Sequence, residues 1–297
     1  MAFNLTNIHV HNLTGMVVTT DKHAFGSGNF ADVWKGIYTV RGHQYTVAVK
    51  ILRPSLLSDR HLVDKTIRKI LREAKLWSTL NHPNVARFIG VYYQDVRGYS
   101  IPRLVSVFYK NRTLKDCLVH MHNDQRLKLL RQFFSGLEYL HYRRVIHGDL
   151  KPTNVLIDDS WNAVLTDFGL SRVIKASGFT TTNVKAVGTF RYMAPELMNP
   201  VNTTSATAPL PTVQSDIWSA GMTGLEILSG NVPYADQKGY GELIYCICRG
   251  KIPNRNLYLR VSRGMWSMLT DCWKNDGMRP AVSELKGYLD RIYPGLQ

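Results

Sequence analysis

The first third of the chain alternates short runs rich in Val, Thr, Ile and aromatics with glycine-containing turns. MVVTTDKHAF, FADVWKGIYTV and YTVAVKIL therefore read as strands. A helix is predicted from about Ser58 to Leu80, where Ile67, Ile70, Leu71, Ala74 and Trp77 recur at three- and four-residue steps. Two further strand-like runs, ARFIGVYYQ and IPRLVSVFY, end near Tyr109. Helices dominate beyond that point. DQRLKLLRQFFSGLEYLHYRR places Leu130, Phe133, Phe134, Leu137 and Leu140 on one face, behind Asp124 as its cap. SDIWSAGMTGLEIL is apolar nearly all round, the pattern of a buried helix, and Asn199–Gln214, rich in Thr, Pro and Ala, reads as a loop. The pattern predicts an α+β chain. An N-terminal extension (1–16) precedes a small sheet-rich lobe (about 17–108), joined through Phe108–Asn111 to a larger, mainly α-helical lobe (about 112–297).

The 297 residues, 44% of them apolar, are enough for two folding units with a sizeable core, and far from the composition of disorder. No run approaches the roughly 18 apolar residues of a membrane helix. The start, MAFNLTNIHVHNLTG, lacks both parts of a signal peptide. Cys117, Cys246, Cys248 and Cys272 form no CxxC pair, so neither a zinc ribbon nor a disulfide framework is expected. A cytoplasmic location, with the nucleus as the other reducing compartment, fits these features. The net charge is +15, and residues 1–110 carry 15 basic against 6 acidic groups, or +9. Arg53, Arg60, Lys65, Arg68, Lys69, Arg72 and Lys75 crowd one stretch. A solvated helix face explains them more simply than a patch for nucleic acid or anionic lipid, because no aromatic-interleaved basic motif accompanies them.

Candidate chemistry begins at FGSGNFADV. Gly26 and Gly28, between two strands, would let a hairpin come close to a phosphate with backbone N–H groups turned toward it. The third glycine of the usual GxGxxG is Ala31 here. In VAVK, Val47 and Val49 share one strand face while Ala48 and Lys50 share the other. A lysine on an inward face needs an anion, and Glu73, beside the apolar face of its helix, can supply one. A purely structural Lys50–Glu73 bridge would explain that pair equally well. VIHGDLKPTNVLIDD then presents Asp149, Lys151 and Asn154 within six residues, and Asp167 follows in LTDFGLSR. One carboxylate to orient a hydroxyl, with a second Asp and an Asn as hard-oxygen ligands, suits magnesium-assisted phosphoryl transfer.

The ordered set of glycine hairpin, VAVK, Glu73, HxDxKxxN, DFG and APE (Ala194–Glu196) resembles the eukaryotic protein kinases, from about Val17 to Tyr293. The finer match is to the tyrosine-kinase-like group of Ser/Thr kinases, in a form similar to the expanded kinases of mushroom-forming fungi. The resemblance implies a bilobal fold, with a small antiparallel sheet lobe carrying one main helix and a larger helical lobe. It implies ATP and Mg2+ as cofactors and proteins as substrates. Gly26, Ser27 and Gly28 would cover the phosphates, and Val33, Ala48 and Leu156 would enclose the adenine. Ser106 would be a small gatekeeper beside an open back pocket, and the backbone of Val107–Tyr109 would bond the adenine edge. Lys50, held by Glu73, would bind the α- and β-phosphates. Asp149 would be the catalytic base, with Lys151 near the γ-phosphate, and Asn154 and Asp167 would hold magnesium. His147, Phe168, Trp77 and Phe88 would form a stacked spine anchored by Asp216, and Glu196 and Arg279 a buried ion pair. The lysine of DLKPTN and the stretch GTFRYMAPE, with Thr189, favour Ser/Thr over Tyr as acceptor.

Gly148 stands where most kinases carry Arg, and it cannot pair with a phosphorylated activation-loop residue. Activity is therefore expected to depend less than usual on phosphorylation of Thr180, Thr181 or Thr182. The rival from another class is a pseudokinase that acts as a scaffold by docking a partner. Loss of Lys50, Asp149 or Asp167 would have favoured it, and all three are present.

Overall fold

The computed structural model describes residues 10–21, 23–27, 31–52, 60–96, 98–168, 187–198 and 209–295. Gly28, Arg53 and Thr180–Thr182 lie outside these residues. The chain divides into two compact units, Met1–Tyr109 and Lys110–Gln297.

The first unit is an antiparallel sheet with one long helix. Its strands are β1 (Val17–Thr19), β2 (Gly26–Ser27), β3 (Ala31–Val40), β4 (His43–Leu52), β5 (Phe88–Val96) and β6 (Tyr99–Val107). They run in the order β1-β3-β4-β6-β5, with β2 paired to β3. The alternation read in VAVK is realised. Val47 and Val49 are fully buried among Leu13, Val17, Tyr38, Tyr92 and Val105. Ala48 and Lys50 occupy the opposite face. There Val33 pairs with Lys50, Lys35 with Ala48, and Ala48 with Ser106. The helix α1 (Arg60–Ser78) packs on β5 and β6 and buries Ile70, Ala74 and Trp77. Arg68 and Arg72 of the basic stretch stand exposed on it.

Residues just before β1 are part of this unit's packing. Leu13 is fully buried, its N–H donates to the Val91 carbonyl (2.6 Å), and Val91 N–H donates to the His11 carbonyl (2.9 Å). Gly90 makes room for that strap, since a Cβ there would lie 2.4 Å from the His11 oxygen. Residues 10–16 thus cross from β5 to β1 as a working piece of the sheet's buried face.

The second unit is mainly helical. It comprises α2 (Leu114–Cys117), α3 (Asn123–Tyr142), α4 (Val187–Phe190), α5 (Pro195–Met198), α6 (Val213–Ser229), α7 (Tyr240–Cys248), α8 (Arg263–Cys272) and α9 (Val282–Ile292), with a hairpin of β7 (Val155–Ile157) and β8 (Ala163–Leu165). The expected apolar face of α3 is buried, but Asp124 does not cap it. His122 is the cap, and its N–H donates to Gln125 Oε1 (3.1 Å), while Asp124 sits in the first turn. A carboxylate there still favours the positive end of the helix dipole. α6 is buried from Ser215 to Ser229, as its all-round apolarity requires. It starts at Val213, inside the segment expected to be loop, because Thr212 and Ser215 cap each other's backbone N–H groups (3.0 and 2.9 Å). α3 packs against α6, α9 and β8 and forms the centre of this unit.

Candidate functional site

The small unit brings most of the expected nucleotide-side residues to one sheet face. Lys50 Nζ lies 3.9 Å from Glu73 Oε1, and the two side chains are 14% and 6% exposed. Strand alternation places the lysine on that face, and the three- and four-residue spacing from Ile70 and Trp77 places the glutamate toward it. At this burial a lone charge would be costly, and each offsets the other's desolvation. Gly26 lies opposite Val33, and among the described residues a Cβ at Gly26 would meet Val33 Cβ, at 3.8 Å. Ser27 pairs with Asp32 on the same hairpin. Ser106 is half-buried opposite Ala48 and Phe88. The Val107 N–H donates to the Arg87 carbonyl (3.1 Å), so Val107 has no N–H to give a base edge. Of the expected spine, Trp77 and Phe88 meet here, with centroids 5.1 Å apart and ring planes tilted by 34°.

The large unit brings together the residues expected to do acid–base work. Its platform is Asp216, which is 1% exposed near the start of α6. Its carboxylate accepts the N–H groups of His147 and Gly148 (both 2.8 Å) and faces His141 Nε2 at 2.9 Å. Gly148 holds φ = 75°, a left-handed conformation that glycine adopts without strain. This turn delivers Asp149. Among the described residues, the side-chain hydrogen bonds to its carboxylate all fall on Oδ2, from Lys151 Nζ (2.8 Å) and Asn154 Nδ2 (2.9 Å). Oδ1 is thereby left to accept a proton from a hydroxyl brought to it. Lys151 also donates to Thr189 Oγ1 (2.9 Å), which ties the segment from Asp149 to Asn154 to α4.

The amide nitrogen of Asn154 is committed to Asp149, to its carbonyl (2.7 Å) and its carboxylate, so its oxygen is directed elsewhere. Thr166 N–H donates to the Asn154 carbonyl (3.0 Å), which sets Asp167, at φ = 60°, next to Asn154. One carboxylate and one amide oxygen fit a hard cation that takes its remaining ligands from phosphate and water. No cluster of three or more His, Cys, Asp or Glu that could cage a metal alone occurs among the described residues. Leu156 follows on β7, half-buried, with Thr113 bridged to it. His147 is wholly buried and edge-on to Phe168, the second pair of the expected spine. Burial pushes its imidazole pKa down, against the pull of the Asp216, Asp149 and Asp167 carboxylates.

Sequence reasoning missed a second network. Glu226, on α6 and fully buried, takes Lys115 Nζ on one oxygen and the Tyr192 hydroxyl on the other. Burial first, and then the Glu226 carboxylate, hold the Tyr192 pKa well above the usual phenol range, so the hydroxyl stays a donor. Tyr192 lines a small cleft with Asp149, Thr189 and Met193. A signal was present: a glutamate inside an apolar helix must find a cation or donor. The expected pair of Glu196 and Arg279 is formed and bidentate (2.6 and 2.9 Å), and the Arg279 side chain is 1% exposed.

A carboxylate with one oxygen held by Lys151 and Asn154, beside an amide oxygen and a second carboxylate, has the chemistry that phosphoryl transfer uses. The protein kinase domain family matches residues 19–286, and the chain belongs to that family. It is 31% identical over 266 residues to mitogen-activated protein kinase kinase kinase 1 of Arabidopsis thaliana, a match covering 88% of this chain and 40% of the relative. It is 31% identical over 212 residues to the probable serine/threonine-protein kinase PknB of Lactococcus lactis (70% and 31%). It is also 30% identical over 280 residues to the dual specificity protein kinase shkD of Dictyostelium discoideum (90% and 34%). The chain thus spans about a third to two fifths of the length of these curated relatives. No helix among the described residues is long and apolar enough to cross a membrane.

Proposed function

We propose that this chain is a Mg-ATP-dependent protein serine/threonine kinase of the tyrosine-kinase-like group, of the type expanded in fungi, acting in signal transduction in the cytoplasm or nucleus. Its kinase domain occupies 17–297. The observation that carries this reading is the Asp149 carboxylate, with Oδ2 held by Lys151 and Asn154 and Oδ1 left to accept the substrate hydroxyl's proton. Lys50, steadied by Glu73, neutralises phosphate charge and orients the nucleotide. Gly26, Ser27, Val33, Ala48, Ser106, Val107, Tyr109 and Leu156 supply the surfaces of its site, and Gly28 belongs to the same glycine motif. Asn154 and Asp167 would hold Mg2+, which supplies charge neutralisation at the transferring phosphoryl group when bound. The Lys151–Thr189 hydrogen bond supports a Ser/Thr acceptor, since both residues belong to stretches of Ser/Thr type.

The test is γ-phosphate transfer from Mg-ATP to a generic basic protein and to the chain itself, beside Asp149→Asn and Lys50→Met, with phosphoamino-acid identification. Transfer to Ser or Thr that vanishes in both variants is the expected result. Intact chain that binds Mg-ATP yet transfers nothing, under any activating condition, would favour the scaffold reading.

A further inference from the structure

The face of the small unit's sheet turned away from Lys50 carries a guanidinium that no described residue pairs with. Arg103 stands on β6 one residue before Leu104, and Leu104 is the register partner of Lys50. Alternation therefore puts Arg103 on the opposite face. The residue is 6% exposed. Among the described residues its Nε and Nη1 are buried without a hydrogen-bond partner. Nη2 makes no hydrogen bond there either, but it is not one of the sealed atoms and keeps contact with solvent. Burial lowers the guanidinium's pKa, with Tyr92 pulling the other way. Arginine nevertheless stays a cation at neutral pH.

A buried cation without a partner costs stability, and the apolar core beside it, Val49 and Val105 included, gains nothing from it. Its neighbours on that face are further donors. Tyr92 pairs with Arg103 across β5 and β6, which sets their Cβ atoms about 4.5–5.5 Å apart. Burial holds the Tyr92 pKa above the usual phenol value, so its hydroxyl stays a donor. Gln94, exposed and two residues further along β5, adds a carboxamide N–H2 on the same face. The strand acids stand elsewhere. Asp95 alternates onto the other face, and Asp32, on this face opposite Ile51, lies on β3, two strands from β6. The three side chains thus present one fixed positive charge and two neutral donors, with no carboxylate among them.

We infer that Arg103, Tyr92 and Gln94 form a phosphate-binding site on the sheet face opposite Lys50. A guanidinium fork matches two phosphate oxygens, and a phosphate has a further oxygen for the Tyr92 hydroxyl, where a carboxylate has none left. Nη2, at the surface, gives the entering group its first contact, and a turn of the side chain brings Nη1 to a second oxygen. The phosphate comes either from a phosphorylated protein side chain or from free phosphate. The site does not depend on where ATP binds, because Lys50 faces the other way.

The experiment is thermal melting of the intact chain at constant ionic strength with excess Mg-AMP-PNP. It is titrated in separate arms with inorganic phosphate, N-acetyl-O-phosphoserine amide and acetate. At about ten times its dissociation constant, phosphate or the phosphoserine amide should raise the melting temperature by about 2–4 °C. Arg103→Met should be at least as stable without ligand and show no phosphate shift, so its loss of binding cannot be loss of fold. Tyr92→Phe should stay folded and bind about fivefold more weakly, the loss of one hydrogen bond. Tighter binding of the phosphoserine amide than of phosphate would support the site with a phosphorylated side chain as its ligand, and equal binding would support it with free phosphate. A wild type that neither phosphate shifts, a shift equally large in Arg103→Met, or an equal shift with acetate would each overturn the inference.

Discussion

Removing the cation from Lys115 should destabilise the protein more than neutralising its partner does. The Glu226 side chain has no solvent exposure, and its oxygens are held by Lys115 and by the Tyr192 hydroxyl. Lys115→Met keeps a long apolar stem and deletes the charge, which leaves a buried carboxylate with one neutral donor. Removing one member of a buried ion pair costs about 3–5 kcal/mol. The Lys115 side chain is 43% exposed, so water can follow it in and solvate part of Glu226. Discounting for that leaves about 2–3 kcal/mol, or roughly 4–12 °C in melting temperature. Glu226→Gln keeps the shape and an acceptor for Tyr192, and it frees Lys115 into solvent, so its cost should be about 1 kcal/mol. The diagnostic is the double variant. With the charge gone from both sides, Lys115→Met/Glu226→Gln should be more stable than Lys115→Met alone. Urea unfolding followed by tryptophan fluorescence reads all three. If the double variant loses the sum of the two single losses, the lysine is a bystander and the reasoning fails.

Three further outcomes follow from single residues. Arg103 is 6% exposed on β6, with Nε and Nη1 lacking hydrogen-bond partners among the described residues, so Arg103→Met should stabilise by about 1–3 kcal/mol; a lower urea midpoint would contradict this. Burial lowers the His147 pKa, so below about pH 6.5 the unfolded chain binds a proton the folded one resists, and stability falls as pH falls. This residue should contribute at most about 1.2 kcal/mol of loss between pH 7 and 5.5, and His147→Phe should remove that part of the pH profile; an identical profile would show the histidine is not its source. With Gly148 unable to pair with a phosphate, changing Thr180, Thr181 and Thr182 together to Ala should preserve most of the transfer rate, and a near-total loss would refute that.

The parts of the fold that were legible in advance are those whose logic is local. Asp149, Lys151 and Asn154 fall within six residues because one turn must aim two groups at the same carboxylate oxygen. Lys50 could be assigned to its face by strand alternation, and Glu73 by the step from Ile70 and Trp77. What escaped was settled between distant residues. Leu13 closes the buried face of the sheet by pairing with Val91, and nothing in NLTGM marks it for that partner. The α3 cap is His122 and not Asp124, with Gln125 reaching back to the His122 N–H. Lys115 and Glu226 are 111 residues apart, and only the glutamate's misfit in an apolar helix hinted that a partner existed. Chemistry that must act on one phosphoryl group constrains spacing and so leaves a motif. Contacts that only brace or cover it need complementary surfaces at any separation, and they become visible when the chain is folded.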